Sequence, residues 1–332
     1  MNASDFCDSR LTGSSLLQQY QAGQRNFNGQ LLQGQTWDFQ RLSRIDLSQA
    51  RLAKLTGFQT HLIQANFSQA RVQQASFVQA LLVEASLSQS HWQQVDLSGA
   101  DLSGAIASAS TWSACRLDRA CLQGSSWLGA EVAPGVSFAQ ADCTGATLSQ
   151  GQFAETCWRG ARWVRVVATQ ANFSGADLQN SQGARAYLKR ANLRHANLRG
   201  ANLSFATLRE ADLTGADLTD AILEGADLTA ARCDRTRFSH AQLAGAQFTQ
   251  ATCEGTVFNQ ANLLGVQFLN THLKEADFSQ AVLNQAGLWC ADLTRANFQG
   301  AIAHGAQFIG TNLAAAQATT EVIAQSNNSP MI

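Results

Sequence analysis

The chain has 332 residues, length enough for two ordinary domains, yet only 14% of them are charged where an average soluble chain carries about 25%. A net charge of −1, from 23 Lys and Arg against 24 Asp and Glu, excludes a protein that coats nucleic acid or anionic lipid by bulk charge, and equally a strongly acidic one. With 45% apolar residues and two prolines, the surface is left to Gln, Asn, Ser and Thr.

In chain order, the opening MNASDFCDSRLTG has neither a basic stretch nor an apolar core of a leader, and no run of 18 apolar residues occurs further on. A cytoplasmic chain is expected. The segment SSLLQQYQAGQ predicts a short helix with a serine cap, Leu16, Leu17 and Tyr20 on one side, and Gly23 as its stop. Residues 1–26 thus read as an N-terminal segment whose helix covers the open end of the region starting at Phe27.

From Phe27 a five-residue period begins. Apolar centres recur at every fifth position from Phe27 to Val132, twenty-two units, and from Phe138 to Ala318, thirty-seven units. Only Gly57 and Gly183 lack a side chain among these centres. The text is plainest at 191–230, ANLRH ANLRG ANLSF ATLRE ADLTG ADLTD AILEG ADLTA. The period excludes a helix, where successive centres would turn by roughly 140° and leave no stripe to bury. It excludes a straight strand too, because five is odd. The chain must turn a corner in every unit, with the centre and the small residue two before it pointing inward. Between Val132 and Phe138 the sequence EVAPGVSF spends one residue more, and Pro134 with Gly135 predicts a bulge or small loop at 133–137. Residues 319–332 read as a C-terminal cap through Val322 and Ile323, or a disordered tail.

The A-[DN]-L-x-x unit resembles the pentapeptide-repeat family, in its cyanobacterial type. The resemblance implies an all-β fold, a right-handed quadrilateral β-helix with four units per coil of 20 residues. Fifty-nine units would make about 15 coils, a rod of roughly 70 Å. Trp37, Trp92, Trp112, Trp127, Trp158 and Trp163 stand at centres where the family prefers Leu or Phe.

Chemistry is sparse. Cys7, Cys115, Cys121, Cys143, Cys157, Cys233, Cys253 and Cys290 form no CxxC pair. Cys233 and Cys253, one coil apart at centres, are expected as reduced packing residues. The six histidines lack metal-ligand spacing, and no nucleophile, phosphate or dinucleotide motif is present. Carboxylates such as Asp212 and Asp217 recur with the repeat and read as outward groups that help the corners. No catalytic residue, cofactor or metal is expected.

Two surface features stand out. Arg185, Lys189, Arg190, Arg194, Arg199 and Arg209 form a basic ring free of acids, followed by an acidic ring, Glu210 to Asp227, free of bases. It reads either as mutual neutralisation, with Arg190 and Glu210 pairing across one coil, or as a patch for a charged partner. The position after each centre faces out, yet Leu269, Trp289 and Ile309 occupy it at 20-residue spacing, as do Phe58 with Val78 and Ile63 with Val83. These stripes are candidate protein-binding surfaces or a homo-oligomer contact.

The expected function is a non-catalytic scaffold or interaction rod. The resemblance, which extends to the leader LLQQYQAGQRNFNGQ, implies a cyanobacterial photosynthetic or antenna complex as its setting, the phycobilisome linker being one form and the thylakoid membrane edge one location. The alternative the family offers is a DNA-mimicking, topoisomerase-interacting protein, which the near-zero charge disfavours. Direct nucleic-acid binding through the arginine ring would have only Tyr187 and Phe205 as stacking residues, and is weaker still.

Overall fold

The computed structural model describes residues 13–326. Cys7, residues 1–12 of the N-terminal segment and residues 327–332 of the tail lie outside them. The architecture is a parallel β-solenoid. Its unit is seen at Ala191–His195: Ala191 and Leu193 are buried, and Asn192 between them bridges Asn172 on one side and Asp212 on the other. Arg194 and His195 then make the corner. His195 has φ 56°, and the Ala196 N–H donates to the Leu193 carbonyl at 3.1 Å. That is a type II turn, which places its third residue in the left-handed region. Extended segment and corner together occupy five residues, so the period follows from the backbone.

The chain forms two compact units, Met1–Gln152 and Phe153–Ile332. In the N-terminal unit, helix α1 (Gly13–Gln21) buries Leu16, and the Tyr20 hydroxyl donates to the Ser43 carbonyl at 2.8 Å. The helix begins at Gly13, so Ser14 and Ser15 fall within its first turn. One side of the coil carries three-residue strands: β1 (Leu31–Gln33), β2 (Arg51–Ala53), β3 (Arg71–Gln73), β4 (His91–Gln93), β5 (Thr111–Ser113) and the shorter β6 (Glu131–Val132). They form one parallel sheet in sequence order, each residue paired with the one 20 positions on. After β6, Ala133–Pro134–Gly135–Val136 turns with Gly135 at φ 80°, and the following bridges, such as Arg116 to Ser137, are 21 residues apart. The extra residue is absorbed in one corner.

The C-terminal unit has turn-bonded corners along its repeats and ends in α2 (Thr319–Gln325). Val322 is buried there. Gln325 accepts the Ala303 N–H through its side chain at 2.9 Å and the Gly305 N–H through its main chain at 3.3 Å. These are the donors that a further coil would have used, so the helix covers an open ladder edge.

The core is a set of stacked columns. Phe238, Phe258, Phe278 and Phe298 lie 5.1–5.2 Å apart, centroid to centroid, and nearly parallel. Phe248 and Phe268 meet this column edge-on. The two glycine centres are explained by their neighbours. A Cβ on Gly57 would lie 2.7 Å from the Phe77 ring, and one on Gly183 would lie 3.0 Å from Leu203. Bulk one coil away fills each gap. The tryptophan centres follow a local rule. The indole N–H of Trp92, Trp112 and Trp127 donates to Ser90, Ser110 and Ser125, that of Trp158 to Thr156, and that of Trp37 to Gln35. Each acceptor sits two residues before its Trp, where other units carry Ala. Position 161, two before Trp163, is Ala, and the buried Trp163 N–H has no partner among the described residues.

Candidate interaction surfaces

The repeat puts every outward side chain beside its counterpart one coil away, so surface features run as columns. Leu269 is half-buried, Trp289 is 36% exposed and Ile309 57% exposed. Main-chain bonds from Asn270 to Trp289 and from Cys290 to Ile309 hold the three in succession. Before the centres this side carries Gln247, Gln267, Gly287 and Gln307, so no charge interrupts it. Gly287 has a local reason: a Cβ there would lie 2.6 Å from Gln267 Oε1, whose amide folds back to the Gly265 carbonyl. The surface beside the indole is flat as a result. Trp289 is also the one exposed tryptophan of the seven, the others being at most 2% exposed.

In the N-terminal unit Phe58 is exposed, whereas Val78, Ile63 and Val83 are half-buried. Phe39 joins Phe58 edge-on, with centroids 5.5 Å apart. It is 65% exposed and escapes the sequence pattern because it occupies the corner, at φ 60°, and not the position after a centre. Further along this side lies a groove of about 450 Å³ lined by Val78, Ser98, Gly99, Arg116 and Arg119 among others.

The basic and acidic rings face each other one coil apart. Arg190 meets Glu210 at 2.6 Å, Arg194 meets Asp212 at 3.1 Å, Arg209 meets Asp227 at 3.2 Å, and Lys189 and Arg199 reach Glu210 and Asp217 at 3.5 Å. Arg185 makes no ion pair among the described residues. The Arg190 hydrogen bond holds the Glu210 carboxyl below its usual range. At Asp212 burial works the other way, but the Thr214 hydroxyl and N–H, and then Arg194, outweigh it and keep the carboxyl low. Asp217 and Asp227 are lowered in the same manner, against burial, by Thr219 and Thr229. Asp212 Oδ1 accepts both the N–H of Thr214 at 3.0 Å and its hydroxyl at 2.5 Å, so these acids brace their own corners.

The described cysteines are free thiols, and no group of residues among those described is placed to hold a metal ion. Burial pushes the Cys115 thiol up to about 11, and burial followed by a hydrogen bond to Cys233 raises that of Cys253. Buried, protonated thiols of this kind are packing residues.

With the coil, its corners and its columns in place, comparison with known proteins gives the class. The family of pentapeptide repeats (8 copies) matches residues 60–91, 80–111, 96–126, 152–181, 186–225, 221–252, 241–280, 251–288 and 276–314. The protein belongs to the pentapeptide-repeat family. Among solved structures it is similar to HetL, a pentapeptide repeat protein involved in heterocyst differentiation regulation in the cyanobacterium Nostoc sp. strain PCC 7120, with 26% identity over 91% of this chain and 96% of that one, and a TM-score of 0.27. A pentapeptide repeat protein of the Arabidopsis thaliana thylakoid lumen is 36% identical over 27% of this chain and 63% of its own, with a TM-score of 0.27. The plasmid-mediated fluoroquinolone resistance protein QnrB1 is 21% identical over 57% of this chain and 86% of its own, with a TM-score of 0.30. No curated protein matches the sequence. Among the described residues no helix is long and apolar enough to cross a membrane.

Proposed function

We propose that the protein is a non-catalytic scaffold that holds a protein partner against the uncharged stretch around Leu269, Trp289 and Ile309 in its C-terminal unit. One observation carries this reading: Leu269, Trp289 and Ile309 stand one coil apart with an exposed indole at the middle. Contiguous apolar surface with an aromatic anchor is how proteins make contacts. Phe39 and Phe58 offer a smaller surface of the same kind in the N-terminal unit. The basic ring is the weaker candidate, because most of its cations already have a carboxylate.

Because Trp289 is the one exposed indole, acrylamide quenching of tryptophan fluorescence reports on this side alone. A partner purified with the chain from its host should shield that fraction, and Trp289→Glu should release the partner without changing the unfolding midpoint. A partner retained in full by Trp289→Glu would overturn the reading. Light scattering separates self-association through the same stripe from binding of another protein.

The finer setting, a photosynthetic or antenna complex, is supported by the likeness of the leader and repeats to the cyanobacterial type. Fractionation of host membranes and antenna complexes tests it, and a chain absent from both removes it. The DNA-mimic alternative draws little from this surface, given a net charge of −1 and paired arginines. Inhibition of gyrase supercoiling by the purified chain would reverse that order.

A further inference from the structure

We propose that Arg51, Arg71 and Lys54 form a binding site for a phosphate-class oxyanion on the strand side of the N-terminal unit. Nothing in the scaffold reading requires it, and it lies in the other unit from Trp289. Arg51 in β2 and Arg71 in β3 are register partners, both outward and exposed, with the buried Leu52 and Val72 following them. Their attachment points are thus about 4.8 Å apart. Like charges set directly across a ladder oppose pairing. Elsewhere the chain mostly relieves such contacts: Arg190 faces Glu210, Arg295 faces Glu275, and corner columns carry neutral ladders such as Gln49 to Gln69 to Gln89, although Arg165 and Arg185 also stand one coil apart at a corner. Here cation stands on cation. Lys54 adds a third charge at the corner that closes β2, and no acid pairs with any of the three among the described residues. A groove of about 290 Å³ opens between the two arginines, lined by Leu31, Arg51, Leu52, Ala53, Arg71 and Gln73, with no carboxylate in its wall and with Lys54 next in the chain to Ala53.

Two guanidinium forks on adjacent strands and an ammonium at the corner can approach one group from three directions. That suits a tetrahedral oxyanion with several acceptor oxygens better than a planar carboxylate, which one arginine satisfies along a single edge. The anion would neutralise the stacked charges and join β2 to β3.

The test titrates the full chain with inorganic pyrophosphate at low ionic strength by calorimetry, with circular dichroism confirming that each variant is folded. The double variant Arg51→Gln, Arg71→Gln should weaken binding by about tenfold or more. Lys54→Gln should weaken it by about threefold. Arg295→Gln, at a cation paired with Glu275 in the other unit, should stay within about twofold of the parent. Co-sedimentation with phosphatidylglycerol vesicles separates the sources of phosphate: capture on vesicles without pyrophosphate binding identifies a lipid headgroup and keeps the site. The proposal is overturned if neither phosphate probe binds, if the double variant binds like the parent, if Arg295→Gln weakens binding equally, or if a glutamate-rich peptide binds where both phosphate probes fail.

Discussion

The two units build the same 20-residue coil in different ways. In the N-terminal unit one corner lacks the turn bond, leaving three-residue strands, and Gln35, Leu55, Val95 and Cys115 stand at the inward position after it, where turn-bonded corners mostly carry Ala, Ser or Thr. A larger inward residue goes with the wider corner in most of these coils, Ala75 after β3 being an exception. In the C-terminal unit the inward position is almost uniformly small, the corners close, and phenylalanines stack in near-parallel columns. Outside, the N-terminal unit lines corners with glutamine ladders, as from Gln49 to Gln89 and from Gln59 to Gln79, while the C-terminal unit uses ion pairs. A glutamine is donor and acceptor at once, so identical residues can stack without repulsion. The low charge content is common to both units, 19 of 152 residues in the first and 28 of 180 in the second, and what differs is how the outward side chains are paired.

The comparison can be broken first in the core. Phe258→Ala removes a ring stacked on both sides and should destabilise the chain by about 3–5 kcal/mol in urea unfolding. An equal loss from replacing an exposed phenylalanine such as Phe205 would show that the column contributes nothing of its own. The tryptophan rule gives a smaller, two-way test. Ser110→Ala strands the Trp112 N–H and should cost about 1–3 kcal/mol, whereas Ala161→Ser supplies the missing acceptor to Trp163 and should stabilise by about 0.5–1.5 kcal/mol. Denaturant midpoints moving in the same direction for both would sink the rule. The smallest effect is electrostatic. Carboxyls held low in the folded state, Glu210, Asp212, Asp217 and Asp227, contribute stability above the usual carboxylate pKa, and it is lost as pH falls through their folded values. Asp212→Asn keeps the corner brace, as Asn192 does in the same column with the Arg194 N–H at 3.1 Å, so it should remove only the carboxylate's small contribution at pH 7, leave stability at low pH unchanged and flatten part of the acid dependence. An acid titration of unfolding, parent against variant, measures it.

The coil was legible because its period is a direct statement of geometry: Ala191 and Leu193 had to point inward, and they do. The stacking of Arg190 on Glu210 and of Cys233 near Cys253 followed from counting 20 residues. Other features lie at positions that such counting passes over. Reading along the position after each centre finds Trp289 but not Phe39, which sits at a corner, nor Arg51 and Arg71, which stand before their centres. The same reading makes Val78, Ile63 and Val83 fully outward, whereas neighbours above and below half-cover that position. The strand side is hidden for a different reason. Its mark is the residue after the corner, such as Leu55 or Val95, whose size registers only when whole columns are compared.

The left-handed corners have a consequence for how such a chain changes over time. From Phe39 to Ala315, residue after residue with a side chain sits at φ near 55–60°, where an L-residue is disfavoured by roughly 1–2 kcal/mol and glycine is not. Mutation to glycine at these points should be close to neutral for the backbone. Gly200, Gly215 and Gly225 have a local reason as well: a Cβ there would lie 2.5–2.7 Å from Asn180, His195 and Phe205 one coil earlier. Which residue a corner can accept is therefore limited by the side chain one coil away more than by its own backbone.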